Sequence, residues 1–241
     1  MLYFNLKYWA ARVPDPVSRH PADGAVEDSD RQAKPFPAML RRRLSPLGRT
    51  ALSAALEILP ADASVPLVFA SRHGDADRTL ELLQSLALGD ALSPTSFSLS
   101  VHNAAAGILS IGRGDIGAVT AIASVDNLLL SALIEAAAQL QEAPRVLCLV
   151  CDAPVPAFYA MPATGPDYPW ALALLLERAG DVGDEFAYRL ARQAVDPSTE
   201  APASAVDLLP LLQGETDSRV LASGSPGWVL ERCAEAIHAP A

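Results

Sequence analysis

Gly117-Ala118-Val119-Thr120-Ala121-Ile122-Ala123 and Arg145-Val146-Leu147-Cys148-Leu149-Val150-Cys151-Asp152 are short, nearly unbroken apolar runs. Between them, Asp126 to about Gln141 carries Leu129, Leu133, Ala136, Ala137 and Leu140 at helical spacing. Runs of this kind suit strands covered on both faces, so the segment reads as strand, helix, strand. That is a βαβ unit, and it predicts an α/β chain with a mainly parallel or mixed central sheet between helical layers.

Reading upstream, Ser93-Pro94 opens a helical stretch through Gly107 in which Ser96, Ser100, Asn103 and Gly107 fall on one face and Phe97, Val101, Ala105 and Ile108 on its neighbour. Asp75 is placed to cap a helix whose Leu80, Leu83 and Leu86 point inward before Gly89, and Pro66 to Ala70 reads as a short buried strand. Ser45-Pro46 starts another helix, with Leu47, Ala51, Leu52, Ala55, Leu56 and Leu59 as its stripe and Pro60 as its stop. Phe4 to Ala10 alternates in part and suggests a strand. Residues 14–37 hold five prolines and few large apolar side chains, which fits a long loop or a poorly ordered excursion. Downstream, Trp170 to Leu176 reads as a strand by context, although its alanine and leucine content also suits a helix. A polar stretch at 181–204, a Leu-rich segment at 206–212, a Gly/Ser-rich turn at 223–227 and an amphipathic helix from Trp228 to about Ile237 complete the reading, with 1–241 as one domain.

Composition narrows the function classes. The 241 residues are 51% apolar and carry a net charge of −10, too apolar for a disordered chain and too acidic for a sequence-independent nucleic-acid binder. The charge is uneven: residues 1–50 hold nine Lys/Arg against five Asp/Glu, and residues 51–241 hold nine against 23. Arg41, Arg42 and Arg43 supply much of the local excess, as a solvated helix start or as a contact for an anion or an acidic carrier protein. No apolar run reaches the roughly 18–20 residues of a membrane span. Three cysteines and no signal-peptide pattern point to a reducing, cytoplasmic setting.

The chemistry-bearing motifs are sparse. Cys148 and Cys151 have the spacing of a zinc or redox pair, but strand alternation sends them to opposite faces and no second pair lies near, so neither a metal nor a cofactor is expected. Ser100, His102 and Asn103 diverge around a helix and cannot meet at one reacting atom. Gly112-Arg113-Gly114-Asp115-Ile116-Gly117 lacks the Lys-Ser/Thr ending of a phosphate cradle and reads as a helix stop.

The blocks Arg41-Arg42-Arg43-Leu44-Ser45, Ser71-Arg72-His73-Gly74-Asp75 and Ser93-Pro94-Thr95-Ser96-Phe97-Ser98-Leu99-Ser100-Val101-His102-Asn103-Ala104, with the strand-to-helix junction at 117–136, resemble the short beta-ketoacyl synthase-like chain length factors. These accompany the type II polyketide systems of aryl polyene and xanthomonadin-type pigments, and the resemblance spans about residues 40–180. It implies a thiolase-like fold, truncated to little more than one ketosynthase half, with the nucleophile's place at the junction, near Ser124 or Val125. No cysteine stands there, and the glutamine of better-known chain length factors is absent too. Condensation needs a thiolate and a pair of imidazoles, and the resemblance implies that the missing second half supplies the latter.

The resemblance therefore implies a non-catalytic subunit that pairs with an active beta-ketoacyl synthase and shapes its acyl tunnel, with acyl carrier protein reached through that complex. Phe97, Ser100, His102, Asn103, Gly107, Leu128, Leu129 and Leu130 are the expected tunnel or interface residues, and Arg41, Arg42 and Arg43 the expected carrier contacts. The alternatives are an acyl-thioester transferase or hydrolase using Ser124 with His73 or His102 as base, and a homodimeric acyl-binding scaffold.

Overall fold

The computed structural model describes residues 1–13, 17–19, 36–60, 64–159, 165–179, 187–202 and 204–233. The chain opens on β1 (Leu2–Arg12), against which β2 (Val17–Arg19) pairs, and α1 (Ala38–Arg41) leads into α2 (Pro46–Ile58). The rest of the predicted excursion at 14–37 lies largely outside the described residues. Then come β3 (Leu67–Ala70), α3 (Ala76–Leu88), α4 (Pro94–Ser98), α5 (Ala104–Arg113), β4 (Val119–Ile122), α6 (Leu128–Gln139) and β5 (Arg145–Asp152). β6 (Trp170–Arg178), β7 (Ala187–Val195), a 3₁₀ turn at Ala205–Leu208, α7 (Leu209–Leu212), β8 (Ser218–Ala222) and β9 (Gly224–Cys233) finish it.

The strands form one nine-stranded sheet in the order β4-β3-β5-β6-β1-β7-β9-β8, with β2 beside β1. β3 is parallel to β4 and β5, which is the predicted βαβ core. From β5 outward every pairing is antiparallel, so the sheet is mixed rather than mainly parallel. The two crossovers run in opposite directions across the sheet, and a right-handed hand then requires their helices on opposite faces. This is observed: α6 packs in one core layer with Val68, Cys148, Val150 and Leu172, and α5 joins α2 in the other with Phe69, Leu149, Cys151 and Leu175. Cys148 and Cys151 thus lie on opposite faces, as strand alternation demands.

Local chemistry explains the helix starts. The Ser45 hydroxyl accepts the Gly48 N–H at 3.2 Å with Pro46 in the first turn, and Asp75 accepts the Arg78 N–H while Gly89 closes α3 in the left-handed region at φ 75°. Both Leu47 and Leu52 are buried, and the α2 stripe meets the sheet as predicted.

Four expectations need correction. The stretch 95–110 is two helices rather than one, because the chain turns through 99–103; Ser96, Ser100, Asn103 and Gly107 therefore do not share a helical face. α3 buries none of its leucines, and Leu83 and Leu86 are exposed. β4 is a half-exposed edge strand rather than a buried one. The segment from Trp228 is strand β9 through Cys233, where Trp228, Leu230 and Arg232 alternate against Arg192, Leu190 and Tyr188 of β7; residues 234–237 of the predicted helix lie outside the described residues.

Burial also decides the thiol chemistry. With no polar partner for a thiolate, Cys148 is pushed from an ordinary value near 9 up to about 12, and Cys151 well above its usual value by burial and by the neighbouring Asp152. Both should resist a thiol reagent at pH 8 in the folded chain and react fully in denaturant. The unfolded thiol ionises first, so the stability that Cys148 contributes is intact below about pH 9 and is lost as pH rises toward about 12. Alkylation kinetics and alkaline unfolding read the two effects.

Candidate functional site

Parallel strands bring their carboxyl ends together, and here β3, β4 and β5 end at the same edge of the sheet as the start of β6, where Trp170 pairs with Asp152. Asp152 is a lone carboxylate at the end of an apolar strand and is only 2% exposed. Burial at that depth requires partners, and it has three. Its Oδ1 accepts the Ser71 hydroxyl and the Arg72 backbone N–H, each at 2.9 Å, and its Oδ2 accepts Arg72 Nε at 2.8 Å.

Ser71 is the hub of this turn. Its N–H donates to the Ile122 carbonyl at the end of β4, its Oγ accepts the Gly74 N–H, and its carbonyl accepts His102 Nε2 at 2.8 Å. A carbonyl only accepts, so Nε2 carries a proton and His102 is a structural donor here. The imidazole meets Phe69 edge-on at 5.7 Å. Gly74 sits at φ 58° with His102 Cα 3.1 Å from where a Cβ would lie, so a side chain there would be strained by the backbone and crowded by His102.

Beside this network is a cleft lined by Arg72, Asp152, Asn127, Leu128, Leu129, Leu130, Val150, Trp170, Ser204 and Leu221, with Val125 at its edge. The three consecutive leucines are all buried. Asn127 opens α6 in the left-handed region at φ 57° and its side chain makes no cap bond. Ser124 donates its hydroxyl to the Asp126 carbonyl, and Val125 is 70% exposed. Ser100 donates to the Phe97 carbonyl at 2.8 Å, Asn103 precedes α5 without a side-chain cap bond, and Gly107 is exposed. His73 is exposed as well. The sequence-derived residues thus separate into a cleft group (Val125 and the three leucines) and a group on α4, the 99–103 turn and α5, joined through His102 and Ser71. Ser124 meets no histidine in this arrangement.

Sequence reasoning missed Arg72, Asp152, Asn127 and Trp170. The available signal was the charge ending each of two apolar strands, since a carboxylate at such a position needs a cation on the neighbouring strand.

Several large apolar side chains are exposed on the elements around β4 in the chain. Leu83, Leu86 and Leu88 of α3, Phe97 of α4, Val101 at the turn, Ile111 of α5 and Val119 of β4 are all exposed. Among the described residues no cluster of three or more His, Cys, Asp or Glu could hold a metal, and no helix is long and apolar enough to cross a membrane.

The family described as beta-ketoacyl synthase, N-terminal domain, matches residues 15–229. A chain in the complex of the ketosynthase ApeO with its chain length factor ApeC from Xenorhabdus doucetiae matches at TM-score 0.74 and 26% identity, over 96% of this chain and 100% of that one. The ishigamide ketosynthase/chain length factor matches at TM-score 0.60 and 17% identity, over 90% of this chain and 74% of the other. A beta-ketoacyl synthase from Burkholderia phymatum gives 0.53 and 11%, over 90% and 71%. At those two identities the likeness is one of fold. No curated protein matches the sequence.

Proposed function

Because the chain belongs to the beta-ketoacyl synthase N-terminal-domain family, we propose that it is the non-condensing, chain-length-factor-type partner of an active ketosynthase in a type II polyketide system of the aryl polyene kind. The observation that carries this reading is the strand-to-helix junction from β4 to α6. It has no thiol, its one hydroxyl is turned onto the Asp126 carbonyl, and both β5 cysteines are sealed in the core. A junction with no thiol, whose one hydroxyl is hydrogen-bonded to a backbone carbonyl and meets no histidine, lacks the activated nucleophile that an acyl-enzyme needs. The likeness to a chain of the ApeO–ApeC complex supports the same reading, as do the exposed apolar side chains on α3, α4, α5 and β4.

In this role Leu128, Leu129, Leu130 and Val125 close the wall of the cleft where a nucleophile would otherwise stand. Phe97, Ser100, Asn103 and Gly107 belong to the surface that meets the partner, and His102 holds that surface against the Ser71 turn.

The test is native mass spectrometry of the chain alone and with an active ketosynthase, followed by condensation assays. The expected result is a one-to-one complex whose activity needs both chains and is unchanged by Ser124→Ala. A chain that ignores ketosynthases and is acyl-labelled at Ser124 by a thioester would overturn the proposal in favour of an independent acyltransferase.

A further inference from the structure

The sheet has two open ends, β4 and β8, and among the described residues no strand pairs with β8 on its outer side. The Arg232 N–H donates to the Asp217 carbonyl at 2.8 Å; beyond it Ser218 stands opposite Glu231, Arg219 opposite Leu230 and Val220 opposite Val229. Bonded and unbonded pairs alternate along an antiparallel ladder. Asp217 and Arg219 therefore turn their backbone groups to β9, while Ser218 and Val220 turn theirs to the open side.

The side chains of this strand supply a second, independent observation. Arg41, Arg42 and Arg43 stand exposed to solvent, but Arg219 is half-buried on the face that Leu230 turns to the core. Its Nε is buried without an acceptor, which is a costly way to hold a guanidinium. Asp217 lies on the same face with its side chain 84% exposed, and its Oδ1 accepts a guanidinium N–H of Arg232 at 2.7 Å, which leaves Oδ2 for another cation.

We propose that β8 pairs antiparallel with β8 of a second copy of this chain, about a two-fold axis at Ser218. In that register the outward groups of Ser218 meet those of its symmetry mate, and the Val220 N–H meets the Thr216 carbonyl. Arg219 falls opposite Asp217 of the second copy, twice by symmetry, in the closely spaced pairs where side chains touch. Moving the axis to Arg219 would also align the outward groups, but it sets the two guanidinium groups against each other, so charge selects the Ser218 register. A strand of an unrelated protein has to bring its own carboxylate to this position, whereas this chain carries one at the required spacing. Because β4 lies at the other end of the strand order, this contact is separate from ketosynthase association and does not rest on it.

Sedimentation velocity and native mass spectrometry of the full chain, from about 1 to 100 μM, read the equilibrium. Wild type should be dimeric at the top of that range. Arg219→Glu and Asp217→Lys should each weaken self-association by about tenfold or more, since like charges then face each other. Mixed together, the two variants should form a heterodimer of near wild-type affinity, because each supplies the charge that the other lacks. Val220→Pro removes an outward donor without touching the β9 ladder and should weaken the dimer likewise. Thermal midpoint and ketosynthase association should stay as in wild type for all three. A wild type that is monomeric throughout, unchanged self-association in the variants, or a mixture that fails to re-form the dimer would each overturn the proposal. Loss of ketosynthase binding by these variants would overturn it too, by assigning β8 to that contact.

Discussion

Asp152→Ala should lower the stability of the chain by about 3–5 kcal/mol, the range for stripping one partner from a buried ion pair. For a chain of this size that is a fall of roughly 10 °C in the thermal midpoint. The magnitude follows from what the carboxylate leaves behind. Arg72, whose side chain is 12% exposed, loses the acceptor for its Nε, the Arg72 N–H loses its own, and the Ser71 hydroxyl is left in a buried turn with nothing to donate to. Asp152→Asn keeps an oxygen in place and should cost only about 1–2 kcal/mol. The double variant Arg72→Met/Asp152→Leu should recover much of the loss, because it removes both charges together. Denaturant unfolding of the three variants separates these terms, and an alanine variant within 1 kcal/mol of wild type would show that the pair does not hold the cleft.

The network behind that prediction was half legible in the sequence. The apolar runs at 66–70 and 145–152 gave two strands, and Arg72 and Asp152 each stand two residues beyond the paired positions Ala70 and Val150. What periodicity does not contain is which strands are neighbours, so the ion pair was invisible until β3 and β5 were adjacent. The same limit explains α3. Its leucines recur at helical spacing, and the pattern states that one face is apolar without stating what covers it. Trp170 to Leu176 is the strand expected, but β7 and β9 beyond it were missed for another reason. β7 carries Arg189, Arg192 and Gln193 on a partly solvated strand, and β9 opens with Gly224, Ser225 and Pro226, so neither shows the unbroken apolar run that announced β5.

Ala121→Pro and Phe97→Asp should each weaken association with a ketosynthase by about 2 kcal/mol or more, roughly thirtyfold in Kd, while the thermal midpoint stays within a few degrees. β4 is the open edge of the sheet at its parallel end. The Leu67 N–H takes the Ala118 carbonyl and the Ser71 N–H takes the Ile122 carbonyl, so the even-numbered peptides of β4 face β3. Val119 and Ala121 therefore turn their backbone groups to the open side, and proline at 121 deletes a donor there without breaking the internal ladder. Phe97 is 64% exposed, so an aspartate costs the isolated chain little but places an unpaired charge in any dry contact. Titration calorimetry with the ketosynthase reads both variants. Wild-type affinity in both would move the contact to another face, and loss of self-association in place of ketosynthase binding would make the surface a homodimer contact. An open edge strand is an aggregation hazard unless it is covered, and β4 carries neither lysine nor proline to guard it, so a protein partner over this edge removes an energetic liability of the isolated chain.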